Sequence, residues 1–163
     1  MFRLSEVAAA VGIELRTLPG WIDRRLIDIP ASGSGHHRRF DRDDVNRIAI
    51  ISALVRLGVS VSDAAKAASA YSDDCDGIRD VGDLYTEGQT FLILDEDGAR
   101  CINVSATREE FESAMASVYS ETHGAVVINV GAVIAAAERA LKGQPARPPA
   151  AAIFRHGRQM HLS

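Results

Sequence analysis

The stretch Ser5-Glu6-Val7-Ala8-Ala9-Ala10-Val11-Gly12-Ile13-Glu14-Leu15-Arg16-Thr17-Leu18 decides how the first half of the chain is read. Ser5 is an N-cap residue type and Glu6 suits the positive end of a helix, while Val7, Ala8 and Val11 recur at helical spacing. Gly12 follows at once, where a left-handed residue closes a helix. A second apolar series, Leu15, Leu18, Trp21, Ile22 and Leu26, predicts another short helix immediately beyond. Two short helices joined by a glycine turn are a helix-turn-helix pattern.

Beyond this helix pair, Pro30, Ser32, Gly33, Ser34 and Gly35 predict a loop, which ends in the basic run His36-His37-Arg38-Arg39 before Phe40. Asp41 with Asp44 predicts a capped third helix carrying Val45, Ile48, Ile51 and Val55, closed at Leu57-Gly58. Ser60 with Asp63 opens an Ala-rich fourth helix through Ala70. Residues 72–88 are acidic and carry Gly77, Gly82 and Gly88, the composition of a linker. Beyond it, Phe91-Leu92-Ile93-Leu94, the turn Asp95-Glu96-Asp97-Gly98 and Cys101-Ile102-Asn103-Val104 predict a β-hairpin. Thr107 and Glu110 predict a capping box for a helix with Phe111, Met115 and Val118 on one face. Ala125 to Val130 reads as a buried strand, and a last helix runs from about Ala132 to Lys142. The expected class is α+β. A four-helix head with a loop lies at 1–71, an acidic linker at 72–88, and a small α/β domain of ββαβα order at 89–143. Residues 144–163 form a Pro/Ala-rich basic tail whose composition predicts disorder.

The formal net charge of −4 conceals a division along the chain. Residues 1–70 carry +2, residues 71–142 carry −9 and residues 143–163 carry +3. Such asymmetry fits a head that meets phosphate and a body that phosphate repels. No apolar run approaches the eighteen or so residues of a membrane span, and the N-terminus lacks a secretion signal's layout, so a cytoplasmic protein is expected. Cys75 and Cys101 are far apart, and no CxxC or HExxH spacing is present.

Three blocks of the head resemble the MerR family of bacterial transcriptional regulators. Gly12-Ile13-Glu14-Leu15-Arg16-Thr17-Leu18 is similar to the start of its recognition helix. Arg39-Phe40-Asp41 with Asp44, Val45, Arg47 and Ile48 resembles its wing exit and next helix. Leu54, Leu57-Gly58-Val59-Ser60-Val61 resembles the turn that follows. The resemblance implies a winged helix-turn-helix across about residues 1–70, double-stranded DNA as partner, a homodimer and a nucleoid-associated location. It implies that Arg16 meets DNA phosphate or a base edge and that Arg38 and Arg39 meet phosphate beside the groove. Thr17, Arg24 and His37 complete the expected DNA-contact set. The chain departs from the family pattern at Glu14, Pro19 and Gly20. Because proline fits the first turn of a helix and disrupts its interior, the second helix is expected to start late, with Thr17 as N-cap. After Tyr71 the family's long dimerisation helix has no counterpart in the acidic, glycine-bearing residues 72–88, so any dimer must use the ββαβα unit or the head's surface.

The other polar groups read blandly. His36 and His37 point in different directions and lack a convergent third ligand, so no metal is expected. Trp21 reads as core, Arg24 and Arg25 as backbone contacts or surface charges, and Cys101, alternating with apolar residues, as a packed thiol. The 95–98 turn lacks the ligand spacing of a calcium loop. No nucleophile–base pair or phosphate loop is found, so neither an enzyme nor a cofactor is expected, and nothing names a small-molecule effector. The expected function is a sequence-specific DNA-binding regulator, a repressor rather than a promoter-untwisting activator. The alternatives are a DNA-architectural or excisionase-like recombination factor, and a protein-interaction adaptor acting through the C-terminal unit.

Overall fold

The computed structural model describes residues 1–29, 38–73, 78–104, 107–121 and 123–144. The expectations for the loop at 30–37, with His36 and His37, for Cys75, and for the tail from 145 onward lie outside those residues. The chain mixes helix and sheet. A helical N-terminal region comprises β1 (Phe2–Arg3), α1 (Leu4–Val11), α2 (Thr17–Asp23), β2 (Arg39–Phe40), α3 (Arg42–Arg56) and α4 (Val61–Ser72). Then come β3 (Gln89–Asp95), β4 (Gly98–Val104), α5 (Arg108–Glu121), β5 (Val126–Asn129) and α6 (Val130–Leu141). Strands β1 and β2 form a two-stranded antiparallel ladder, and the second sheet has the order β4-β3-β5, antiparallel throughout.

Local chemistry sets most of the element ends. The Asp41 carboxylate accepts from the Asp44 amide at 2.8 Å while Asp44 accepts from the Asp41 amide at 3.0 Å, a reciprocal capping box that starts α3. Ser60 accepts from the Asp63 amide at 3.1 Å and starts α4. At α1 the expected cap is displaced. The helix already includes Leu4 and Ser5, its N-cap is Arg3, and Glu6 reaches back to the Arg3 amide at 2.5 Å. The glutamate satisfies the amide of the N-cap residue itself, not the N2 or N3 amides that a Ser5 cap would have met, and the helix starts two residues earlier, directly after β1. Likewise α6 begins at Val130, with the Asn129 side chain accepting from the Ala132 amide at 2.9 Å.

Composition marks 72–88 as a break, but one apolar cluster runs through both sides of it. Val7 and Val11 of α1, Leu18 and Trp21 of α2, Phe40, and Ile48, Ile51 and Leu54 of α3 share this core with Leu92, Ile128, Val133, Ile134 and Ala137. The α6 helix lies against both α1 and α3. The period-2 alternation of the sheet explains the arrangement. Leu92 and Ile128 face the helical region, whereas Phe91, Ile93 and Val127 face the other way, onto Met115 and Val118 of α5. Strand β3 is thus buried on both faces, as its unbroken apolar run requires. Inside the head, the buried Ser52 hydroxyl donates to the Val11 carbonyl at 3.0 Å and joins the end of α1 to α3.

Residues 78–88 fold onto the end of α4 around Arg79, whose residue exposure is 4%. Its guanidinium donates to the carbonyls of Tyr71 at 2.8 Å and Asp83 at 3.0 Å, with Ala70 at 3.4 Å. It also lies over the rings of Tyr71 and Tyr85, 5.3 and 5.9 Å from their centroids. The last carbonyls of a helix lack intrahelical partners and carry partial negative charge, so a cation there satisfies hydrogen bonds and the helix dipole together. The Tyr71 hydroxyl donates to the Gly82 carbonyl at 2.5 Å.

Two outcomes follow from this packing. Burial pushes the Tyr71 phenol up to about 12, against the pull of the Arg79 charge. A phenol whose folded pKa is raised contributes stability in full below its ordinary pKa of 10, and that stability disappears as pH rises toward 12. Urea unfolding across pH 9–12 should show a steeper alkaline loss for the native chain than for Tyr71→Phe. Equal slopes would mean the phenol does not feel its burial. At Gly88, φ is +79° and an added Cβ would lie 2.4 Å from Asn103 Oδ1 and 2.8 Å from the Val104 carbonyl oxygen. Gly88→Ala should therefore destabilise the chain by about 2 kcal/mol or more in the same assay.

Candidate nucleic-acid interface

The helix-turn-helix geometry begins at Gly12, whose φ of 69° closes α1. The Ile13 amide donates to Ala8 at 3.0 Å and the Gly12 amide to Ala9 at 3.3 Å, the paired bonds of a Schellman turn. The chain re-enters helix at Thr17, which is the first residue of α2 rather than its cap. Arg16 holds the cap position without a side-chain cap bond, leaving its guanidinium uncommitted to the helix end. Pro19 sits in the first turn, the place in a helix where a missing N–H breaks no hydrogen bond. Leu18 and Trp21 anchor the inner face of α2, and Trp21 is 8% exposed and part of the core, as its apolar spacing predicts. Arg16, Asp23 and Arg24 are exposed, and Thr17 is half-buried.

The exit from α2 is tight. The Arg25 amide donates to Ile22 and the Leu26 amide to Trp21, both at 2.9 Å. This second Schellman turn places Arg25 in the left-handed region at φ 54°, where glycine is usual.

Beside α2, the β1–β2 ladder pairs Phe2 with Phe40 and Arg3 with Arg39. Phe40 is fully buried, while Arg3 and Arg39 are exposed. Two like charges directly opposite one another on a ladder repel, and an anion between them relieves the repulsion. Neither guanidinium is ion-paired among the described residues. Arg3 was missed by sequence reasoning. Its only signal was the short Phe2-Arg3 alternation that matches Arg39-Phe40, and the pairing of strands so far apart in sequence is a tertiary fact.

Arg38 differs from its neighbour. Its guanidinium donates to Asp23 Oδ1 at 3.0 Å, and its side chain is only 19% exposed. The pair ties the start of β2 to the last residue of α2. Arg16, Thr17, Arg24, Arg38 and Arg39 thus all lie on α2, at its ends or on the adjoining ladder, and His37 falls outside the described residues. No group of three or more metal-ligating side chains occurs among the described residues, and none of their helices is long and apolar enough to cross a membrane.

The family model for MerR helix-turn-helix regulatory proteins matches residues 2–71. Over 78 residues, 48% of this chain, the sequence is 33% identical to a nodulation protein NolA of Bradyrhizobium elkanii, of which it covers 36%. It is 31% identical over the same length to a NolA of Bradyrhizobium sp. (strain NC92), of which it covers 33%. The chain therefore spans about a third of the length of these relatives.

The strained exit of α2 makes a stability prediction. Arg25→Gly should raise the unfolding free energy by about 0.5–1 kcal/mol, because glycine adopts the left-handed region without the Cβ clash. Thermal unfolding checks it, and a loss of stability would mean that the arginine side chain contributes more than its backbone costs.

Proposed function

We propose that this chain, whose residues 2–71 match the family model for MerR helix-turn-helix regulatory proteins, is a transcriptional regulator binding double-stranded DNA sequence-specifically. The observation that carries this reading is the set of exposed arginines, Arg16 and Arg24 at the two ends of α2 with Arg3 and Arg39 on the adjoining ladder, which have no ion-pair partner among the described residues. Arg16 and Thr17 enter the major groove at the start of α2. Arg24 and Arg39 meet phosphate on either side, joined by Arg3. Phosphate contacts fix register and base-edge contacts carry the sequence information. Arg38 acts as a positioning residue: its bond to Asp23 holds the ladder at a set angle to α2.

Repression suits the chain better than promoter untwisting. The helix that ends the described chain, α6, turns back onto α1 and α3 instead of projecting as a dimer arm. Untwisting a promoter needs two heads held rigidly apart. We place the homodimer contact on the sheet-bearing unit, within a cytoplasmic, nucleoid-associated protein.

Selection from genomic fragments, followed by footprinting and salt titration, tests this reading. Arg24→Ala and Arg39→Ala should each flatten the plot of log affinity against log salt by about 0.9, the contribution of one phosphate on duplex DNA, whereas Arg16→Ala should cost about 1–3 kcal/mol and relax the sequence preference. Arg38→Ala and Asp23→Ala should weaken binding with the slope nearly unchanged, and their effects should not add. Inverted half-sites overlapping a promoter are the expected footprint. A bent complex at a recombination site without promoter effect would move the protein to the architectural class. No enriched fragment would overturn DNA binding altogether.

A further inference from the structure

Between α4 and the tip of the β3–β4 hairpin lies an open cleft of about 770 Å³. Its floor is apolar, formed by Val59 beyond α3, Ala67 and Ala70 of α4, Leu94 of β3 and Ala99 of β4. Val59, Leu94 and Ala99 pack on the main core and keep part of their surface open to solvent. Around this floor stand five carboxylates, Asp63, Asp73, Asp95, Glu96 and Asp97, with Lys66 as the one cation among the described lining residues.

Asp95 is engaged within the fold: its side chain is buried, and Arg100 donates to it at 2.5 Å. The other four stand at the rim with looser ties. Asp63 meets Lys66 at 3.5 Å, Asp73 meets Arg47 at 3.6 Å, and Glu96 meets the exposed His123 at 3.0 Å. Asp97 has no ion pair among the described residues. Pairs this open to water are worth little, so a cation entering the cleft competes with them readily. The cleft suits a ligand that is apolar at its centre and cationic at its edges.

The chain carries such a segment. Residues 143–163 hold Arg147, Arg155 and Arg158, no acidic residue, and the apolar pair Ile153-Phe154 directly before Arg155. The segment also starts within reach. Glu138, three residues before the end of α6, is bonded to Arg42 at the start of α3, and Gly58, just past the other end of α3, lines the cleft. The 15 residues of α3 separate the two places by about 22 Å. The ten residues from Pro145 to Phe154 span up to about 31 Å, at roughly 3.1 Å per residue for a proline-rich chain. We propose that residues 153–158 dock in this cleft of their own chain, with Phe154 on the apolar floor and Arg155 and Arg158 on the rim carboxylates. Tethering favours this occupant over a free basic peptide, because a linked segment acts at an effective concentration on the order of millimolar. Docking joins α4 to the hairpin and withholds two arginines from other anions. It is independent of the DNA reading; only its consequence for duplex phosphate rests on that reading.

The test uses the full chain, followed by amide NMR at several protein concentrations. Phe154→Ser and the pair Arg155→Glu/Arg158→Glu leave every residue of the described core in place. Beyond the tail's own signals, each should shift amides within 58–73 and 94–99 only, and equally at all concentrations. Phe154→Ser should lower the docking equilibrium about tenfold or more, the effect of one buried aromatic side chain. Glu96→Lys/Asp97→Lys, on the exposed hairpin turn, should also release the tail. Combined with Arg155→Glu/Arg158→Glu it should restore docking, a rescue that a merely structural effect would not give. Cleft amides that stay still on both tail substitutions, or absence of rescue, would overturn the docking. Concentration-dependent shifts would overturn it too, assigning the cleft to a second copy. On random-sequence duplex DNA, Phe154→Ser should bind more tightly, with a log–log salt slope steeper by about 1.8 for two released arginines. If the tail docks as described but duplex affinity does not change, the cleft site stands and its coupling to DNA is lost.

Discussion

The seating of α6 between α1 and α3 is the contact on which the rest of the structure depends. Val130, Val133, Ile134 and Ala137 enter the same core as Val7, Ile48 and Leu54. Full burial of each large aliphatic side chain is worth about 1.5–3 kcal/mol, so this face outweighs any surface ion pair. Because α6 follows β5 without a break, and β5 pairs with β3, the helix brings the sheet with it. The sheet then lays Leu92 and Ile128 on the helical core and leaves its other face to α5. The Arg42–Glu138 pair adds orientation at the end of this contact more than energy.

A second constraint closes the acidic segment. Without Arg79, residues 78–88 would be a carboxylate-rich strand beside a helix end that is itself partially negative. The guanidinium reverses that balance by satisfying the α4 carbonyls and filling the space between two tyrosine rings. A buried cation is costly unless its donors are used, and the carbonyls of Ala70, Tyr71 and Asp83 engage both Nη groups of this one.

The exposed surface of α2 and its ladder is built on the opposite logic. There Arg3 and Arg39 face each other with no carboxylate paired to either among the described residues, and Arg25 is held in a backbone region unfavourable to it. Local strain and like-charge repulsion of this kind are tolerated when the surrounding structure holds them in place. Here the buried Leu18, Trp21 and Phe40 hold both elements from beneath. The Asp23–Arg38 bond sets their relation from the side.

Much of the fold is legible residue by residue. Apolar spacing marks α1 through α4, Gly12 marks the turn, Asp41 with Asp44 and Ser60 with Asp63 mark helix starts, and the 95–98 turn marks the hairpin, because each signal acts within a few residues. The helix-turn-helix segment and the candidates Arg16 and Arg39 are legible for the same reason. What could not be read were relations between distant residues. Composition gives Arg79 as one charge in an acidic stretch, Arg3 as a terminal residue, Arg38 as the twin of Arg39, and Asn46 as a polar residue on α3. The arginines meet partners 8 to 36 positions away, and Asn46 Oδ1 is buried with no hydrogen-bond partner among the described residues. Short-range propensity and pattern thus carry the helices, the hairpin and the match of residues 2–71 to a family model. That the two halves share a core, and which arginines lack an ion-pair partner among the described residues, follow from the tertiary structure, because burial and ion pairing depend on which surfaces meet.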